Sequence, residues 1–172
     1  MLVTGYMLKE ALKMKALELT TIQTQFDESL YRFEGEDKQH PKEVADAIRK
    51  LEAEIVELQT AQDYYNLNVK VDVTEVGEQW PLCKAVKAVG GAGRVAKMWR
   101  TAAHGEKRDR WDRSRSMTRN KDDEVAMPTV TKPEALAEAR ATEKFASQLR
   151  NAIAVGNTDA IDVPWVTEEL LK

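Results

Sequence analysis

Two stretches of the sequence repeat apolar residues at alternating steps of four and three, and a short polar break separates them. The first covers about residues 5–33, and six of its eight seam positions are apolar. The second covers about residues 41–66 with the same spacing. This spacing places the apolar side chains along one side of a helix, so two such helices can pack side by side. The pattern predicts an antiparallel, coiled-coil-like helical hairpin at residues 1–67.

The break contains residues that end one helix and begin the next. Gly35 can terminate a helix, and Pro41 suits the first turn of the following helix. A hairpin this long and narrow leaves part of its apolar seam uncovered, so we expect the seam to serve self-association as well. The predicted oligomer seam consists of Leu12, Leu19, Ile22, Phe26, Ile48, Leu51, Ile55 and Leu58.

The remainder of the chain, residues 68–172, is predicted to be mainly α-helical and to form a single compact unit with the hairpin. Valines at 69, 71 and 73 alternate with polar residues, which fits a short strand near 69–73 and an irregular segment equally well. A third helix is predicted from Pro81. We expect a kink or a loop at its glycine cluster, 90–93, because each glycine costs up to ~1 kcal/mol in a helix interior.

The last helix is predicted at 132–156. Thr131 and Glu134 have the spacing of a capping box, and Pro133 lies in the first turn. Gly156 supplies the stop signal.

Charge is strongly segregated along the sequence. Residues 1–83 carry 9 Lys/Arg and 16 Asp/Glu, for a net charge of −7. Residues 84–121 carry 12 and 3, for a net charge of +9, and residues 122–172 carry 5 and 10, for a net charge of −5. A basic block between two acidic ones indicates an anionic partner, the acidic parts of the chain itself, or a second copy.

The most basic stretch, 107–121, is predicted to be an extended arm. Its arginines fit contacts with carboxylates of another copy, because the guanidinium fork binds a carboxylate at two points. They also fit phosphates, with a tryptophan stacking on a base, and a solvated loop is the third alternative. The predicted partner or phosphate contacts are Arg108, Arg110, Trp111, Arg113, Arg115, Arg119 and Lys121.

Nothing in the sequence has the pattern of a catalytic or cofactor site. Residues 91–96 match G-x-G-x-x-A, but the residues before them have helical rather than strand character, which argues against a nucleotide site. Cys83, His40 and His104 are too widely spaced for a structural zinc site, and an unsupported thiol is usually inert. We therefore expect no enzymatic activity, no metal and no cofactor.

No run of the sequence approaches the ~20 apolar residues of a membrane helix. The first twenty residues also lack the uninterrupted apolar core of a signal peptide. We expect no membrane contact and a cytoplasmic protein, or a virion component if a phage encodes it.

The order of parts resembles a known family. An "LKEALKMKALELTTIQTQFDESL" helix, a polar turn and an "LEAEIVELQTAQDYYNLN" helix precede a basic "RSRS" segment and a final "EALAEARATEKFASQLRNAI" helix. In this order the chain resembles the DIP1984 family, small bacterial and phage proteins without an established activity. Its members close with an asparagine and a tryptophan after the last helix, to which Asn157 and Trp165 correspond here. The resemblance implies a coiled-coil hairpin that self-associates.

The sequence thus predicts a non-enzymatic, homo-oligomeric structural or scaffold protein built on a helical hairpin. A protein partner within a larger assembly is a further expectation. The alternative is a nucleic-acid-binding module that uses the arm at 107–121.

Overall fold

The computed structural model describes residues 1–104 and 129–172. The chain divides into two compact units. The first consists of Met1–Ala85 and Ala152–Lys172, and the second of Val86–Asn151. The described residues are mainly helical, as predicted, with a few short strands.

In the first unit, helix α1 covers Gly5–Ser29 and helix α2 covers Pro41–Asn68. The Thr4 hydroxyl oxygen accepts a hydrogen bond from the Met7 amide and caps the start of α1. At the start of α2, the His40 side chain accepts from the Lys42 amide. The two helices pack along each other, which agrees with the predicted hairpin.

Helix α1 ends four residues before the predicted boundary at 33, and the connection spans residues 30–40. Gly35 has φ +89°, a left-handed conformation that disfavours side chains with a Cβ atom. The Lys38 ammonium donates to the Glu28 carbonyl oxygen at 3.4 Å and to the Tyr31 carbonyl oxygen at 3.3 Å. The Lys38 ammonium therefore satisfies a carbonyl in the last turn of α1, whereas the predicted stop, Gly35, lies six residues beyond the end of the helix.

A β-hairpin follows α2. Strand β2, Lys70–Val73, pairs antiparallel with strand β3, Glu78–Pro81, with Val71 opposite Trp80. Gly77 has φ +68° in the turn. The alternating valines at 69, 71 and 73 are all buried, and of the two alternatives for residues 69–73 the structure has the short strand. The partner strand β3 was not predicted, because Pro81 and the polar residues before it lack a clear period of two.

The two ends of the described chain meet on the hairpin. Strand β1, Leu2–Val3, pairs antiparallel with strand β4, Ile161–Asp162. Val3 and Val163 are fully buried there, together with Leu8, Leu58 and Tyr65. The first unit therefore has its densest core at the end of the hairpin that lies opposite the 30–40 connection.

The second unit contains most of helix α3, Leu82–His104, and of helix α4, Lys132–Gly156. Its buried positions are largely alanines with steps of four and seven, namely Ala92, Ala96 and Ala103 in α3 and Ala135, Ala139 and Ala146 in α4. An ion pair joins Arg100 of α3 to Glu143 of α4. Small side chains at this spacing suit two helices that approach closely.

Two predictions about this region have different outcomes. The last helix has the predicted bounds, and Thr131 and Glu134 form the capping box, since the Thr131 amide donates to the Glu134 carboxylate at 2.8 Å. The predicted kink or loop at residues 90–93 is wrong, because α3 runs without interruption through its glycines. The cumulative helix propensity of the flanking alanines, lysines and arginines outweighs the cost of three glycines.

The observed division of the chain also differs from the predicted segments 1–67 and 68–172. Strands β2 and β3 and the last twenty-one residues, 152–172, belong to the unit of the hairpin. The physical reason is that the buried valines of β2 and of the C-terminal segment need the apolar end of the hairpin to cover them.

Candidate interaction surfaces

The predicted seam residues all lie on the hairpin, and they differ in how deeply they are buried. Leu51 and Leu58 of α2 are buried. The other six remain half-exposed in one copy of the chain, namely Leu12, Leu19, Ile22, Phe26, Ile48 and Ile55. Their predicted role in joining copies of the chain stays a prediction.

A charged pair interrupts the seam. Lys15 lies at a seam position of α1 and is only 8% exposed. Its ammonium group donates to the Glu54 carboxylate of α2 at 2.8 Å, and the Glu18 carboxylate lies 4.0 Å away. A buried ammonium tolerates only an arrangement that brings a carboxylate to it, so this pair favours one register of α1 against α2.

The end of the hairpin opposite the 30–40 connection is centred on Tyr65, which is 0% exposed. Its hydroxyl oxygen lies 2.7 Å from the Gly156 carbonyl oxygen and 2.7 Å from the Asp159 carbonyl oxygen. The single hydroxyl proton is shared between these two acceptors. Tyr65 thereby fixes the end of α4 to the end of α2.

Two glycines allow the chain to approach itself closely around Tyr65. A Cβ atom on Gly5 would lie 2.3 Å from the Asn157 side-chain oxygen and 2.9 Å from the Tyr65 ring. A Cβ atom on Gly156 would lie 2.5 Å from a methyl group of Val71. These distances are shorter than van der Waals contact, so no larger residue fits either position without movement.

Burial raises the pKa of the Tyr65 hydroxyl above its usual value of 10.0. A hydrogen bond from the Gly5 backbone lowers this pKa, and the negative charge of Asp159 raises it, but burial is the largest effect. The hydroxyl therefore stays protonated over the physiological range and serves as a donor.

The outer side of α2 carries an uncharged stripe, which we define as Ala53, Val56, Thr60, Tyr64 and Leu67. Its steps of three and four place it opposite the buried side of the helix. Val56 is 57% exposed and Leu67 is 63% exposed. The Tyr64 ring meets the exposed Trp165 ring edge-on, with 5.1 Å between the ring centroids. This stripe makes α2 apolar on two sides.

Only acidic charges accompany the stripe of α2. Residues 51–69 contain four Asp/Glu and no Lys/Arg. Glu54 faces the hairpin interior, where it binds Lys15. The exposed side chains of Glu52, Glu57 and Asp63 lie beside the stripe. A partner for this surface needs apolar side chains and positive charge.

Further apolar side chains are exposed elsewhere on the hairpin. Tyr31 and Phe33, in the connection at residues 30–40, are 80% and 78% exposed. Met14 and Leu17 are exposed on the outer side of α1. Near the connection lies an open recess of about 230 Å³, lined by Gln25, Glu28, Ser29, Lys38, Gln39 and Val44. Contiguous exposed apolar surface, rather than single side chains, marks association sites, so the neighbouring Tyr31 and Phe33 carry more weight here than isolated residues.

Helix α3 has the opposite charge. Residues 82–104 contain five Lys/Arg and no Asp/Glu. Opposite its buried alanines lies a surface that we call the basic face. It consists of the half-buried Gly91 and four exposed residues, Lys87, Arg94, Val95 and Met98. Met98 is 71% exposed, and a Cβ atom on Gly91 would meet nothing within 4 Å. The basic face therefore combines positive charge, two apolar side chains and a flat glycine surface.

The predicted contact residues of the basic arm lie outside the described residues. They are Arg108, Arg110, Trp111, Arg113, Arg115, Arg119 and Lys121. Of the other tryptophans, Trp80 and Trp99 are half-buried, and the Lys84 ammonium lies 3.9 Å from the centre of the Trp80 ring. Only Trp165 is exposed among the three described tryptophans.

The candidates for a catalytic or metal-binding side chain, His40, His104 and Cys83, lie far apart in the sequence. His40 caps α2. His104 is the last residue of α3, and Cys83 is half-buried near the start of that helix. In residues 1–104 and 129–172, no group of three or more His, Cys, Asp or Glu side chains is placed to hold a metal ion.

Comparison of the chain with protein-family models, with curated proteins and with solved structures yields no match. The resemblance to the DIP1984 family stays a prediction. In the part of the chain that the structure describes, no helix is long and apolar enough to cross a membrane.

Three features of these surfaces were not predicted from the sequence. The stripe of α2 had a signal, because its residues keep steps of three and four, but the stronger seam of the same helix obscured it. The absence of acids in residues 82–104 was visible only as part of the larger basic block. The shared hydrogen bond of Tyr65 had no local signal, because its acceptors lie 91 and 94 residues away.

Proposed function

We propose that the protein is a non-enzymatic, homo-oligomeric structural or scaffold protein, in which helical hairpins and their surfaces hold several copies together. The observation that carries this proposal is the amount of apolar surface that the hairpin exposes. It has its seam between the helices, a second stripe on the outer side of α2, and two highly exposed aromatic residues at 30–40. A single chain leaves these surfaces in water, and association covers them.

The proposal is also supported by the way in which the hairpin is held. The end opposite the 30–40 connection is fixed by Tyr65 and the strand pair β1–β4. The ion pair of Lys15 and Glu54 favours one register of α1 against α2. These contacts hold the outer side chains of the hairpin in a defined arrangement. Association then loses little conformational entropy, which favours a stable assembly.

Mass measurement in solution tests the proposal. Size-exclusion chromatography with multi-angle light scattering, at about 50 mM and about 1 M salt, should give a multiple of 19.5 kDa, free of nucleic acid. A single chain of 19.5 kDa at both salt concentrations would refute the proposal. The ratio of absorbance at 260 and 280 nm shows whether nucleic acid accompanies the protein.

A second candidate is a nucleic-acid-binding module. The observation that favours it is α3, which carries five Lys/Arg and no acidic residue immediately before the sequence of the predicted arm. Each phosphate that these residues neutralise would make the affinity fall with salt. A single chain that carries nucleic acid at low salt and loses it at high salt would support this candidate over the first.

A further inference from the structure

The two oppositely charged helices have surfaces of similar spacing. On α2, the stripe from Ala53 to Leu67 covers a step of fourteen residues, and on α3, the basic face from Lys87 to Met98 covers a step of eleven residues. At a rise of 1.5 Å per residue, the stripe is about 21 Å long and the basic face about 16 Å long, so the face fits within the length of the stripe. Both surfaces follow steps of three and four, which is the spacing that two packed helices share.

We propose that the stripe of α2 binds the basic face of α3 of a second copy of the chain. This inference rests on the proposed function and names the surfaces by which the copies associate. The stripe would cover Val95 and Met98 with Val56, Tyr64 and Leu67. Alongside this apolar contact, Glu57 and Asp63 would face Lys87 and Arg94.

Charge decides between this contact and the simpler one in which two stripes of α2 face each other. A contact between two stripes would bring Glu52, Glu57 and Asp63 of each copy together, and like charges at close range oppose association. A contact between stripe and basic face pairs acids with Lys and Arg. All of these charged side chains are exposed, and they form none of the ion pairs found within the described residues.

Gly91 gives the basic face a flat position at its centre. A Cβ atom there would meet nothing within 4 Å, so no neighbouring side chain of the same chain fills this place. Without a side chain at this position, another helix can approach to the short end of the usual 8–10 Å distance between helix axes. The flat surface therefore suits a helix seated directly on it.

The contact has a consequence for symmetry. Because it joins two different surfaces, two copies can use both surfaces at once in a reciprocal two-fold dimer, or each copy can bind the next one in a larger ring or an open filament.

Charge reversal on the two surfaces tests the inference. One variant carries Lys87→Glu and Arg94→Glu, and the other carries Glu57→Lys and Asp63→Lys. Each variant alone presents two surfaces of like charge, so its mass should fall to that of one chain. In an equimolar mixture, every stripe again finds a face of opposite charge, and the mass of the wild-type assembly should return.

Gly91→Leu and Gly93→Leu provide a pair of matched variants. A Cβ atom on either glycine meets nothing within 4 Å, so both variants should fold. Gly91 lies in the basic face, whereas Gly93 lies about 160° away around the helix, at 100° per residue. Gly91→Leu should weaken the assembly at least tenfold, measured as its dissociation constant, while Gly93→Leu should leave it unchanged.

The outcomes separate this inference from the proposed function. If the wild type is an oligomer and both charge variants keep its mass, or if their mixture stays a single chain, the inference is wrong and the proposed function stands. If the wild type itself is a single chain, both the inference and the proposed function are wrong. If Lys87→Glu and Arg94→Glu leave the mass unchanged but abolish binding to an oligonucleotide, the basic face contacts phosphates, and the inference is overturned.

Discussion

Tyr65→Phe removes one hydroxyl group from the end of the hairpin opposite the 30–40 connection and leaves the buried ring in place. The lost hydrogen bond is worth about 0.5–1.5 kcal/mol in net terms. The Gly156 carbonyl oxygen keeps a second donor, the Asp159 amide at 3.2 Å, and the Asp159 carbonyl oxygen is only partly buried. Neither acceptor is therefore left without any partner in the interior, but the Gly5 backbone amide loses the hydroxyl oxygen to which it donates. We expect a total loss of about 1–2 kcal/mol in the free energy of unfolding.

Urea denaturation followed by circular dichroism measures this loss. With an m value of about 2 kcal/mol/M, the midpoint of Tyr65→Phe should fall by roughly 0.5–1 M. Tyr64→Phe is the matched control, because Tyr64 is the preceding residue, is exposed, and meets Trp165 through its ring. Its midpoint should change by at most a quarter of a molar, since exposed substitutions usually alter stability by less than about 0.5 kcal/mol.

The difference in stability between the wild type and Tyr65→Phe depends on pH, and the raised pKa of Tyr65 determines the sign of this dependence. The pKa of Tyr65 is raised in the folded state, so its contribution is fully present below the unfolded value of about 10. It is lost as the pH rises through the folded pKa, because the unfolded chain releases the proton first. The stability difference between wild type and Tyr65→Phe should therefore shrink above pH 10. Equal stability of the two proteins at pH 7 would refute the assignment of Tyr65 as the fastening of α4 to α2.

Two further predictions concern the hairpin and the glycines. Glu54→Ala leaves the buried Lys15 without its 2.8 Å partner and should destabilise the protein by about 1–2 kcal/mol. Lys15→Met removes the buried charge and should be neutral or stabilising. Equal losses of stability for the two variants in urea denaturation would contradict this reasoning. Gly156→Ala places a Cβ atom 2.5 Å from Val71 and should lower the free energy of unfolding by about 1–3 kcal/mol. Gly93→Ala, in open space, should raise it by up to about 1 kcal/mol, and a thermal melt distinguishes the two glycine variants by the sign of the shift.

The helices were predictable from the sequence because their signals are local and agree with one another. For α4, the capping box at 131–134 and the glycine at 156 define both ends, and the structure has the predicted bounds. For α1, the apolar spacing continued to Phe33 and concealed an earlier end at Ser29. There, the deciding contacts come from Lys38, nine residues beyond the end of the helix, which periodicity does not detect.

The features that were not predicted correctly depend on contacts in the folded chain rather than on local sequence signals. The glycines of α3 suggested a break, because propensity assigns each of them a cost, yet the neighbouring helix formers and the packing of Ala92 and Ala96 outweigh it. Strand β3 and the pair β1–β4 depend on partners far away in the sequence, and strands of two to four residues have no period to recognise. The outer stripe of α2 became evident only when the helix showed which of its two apolar sides was buried.

The pairing of Leu2 with Asp162 and of Tyr65 with Gly156 has a consequence for synthesis of the chain on the ribosome. Helices α1 and α2 are complete once residue 68 has emerged, but the segment that covers Val3 and Tyr65 comes about a hundred residues later. At about 5–20 residues per second, this apolar end stays uncovered for roughly 5–20 seconds. Nascent chains stalled before residue 152 should show helical circular dichroism together with rapid proteolysis of their first residues. The end of the hairpin that is best protected in the finished protein is therefore the one most in need of a chaperone while it is being made.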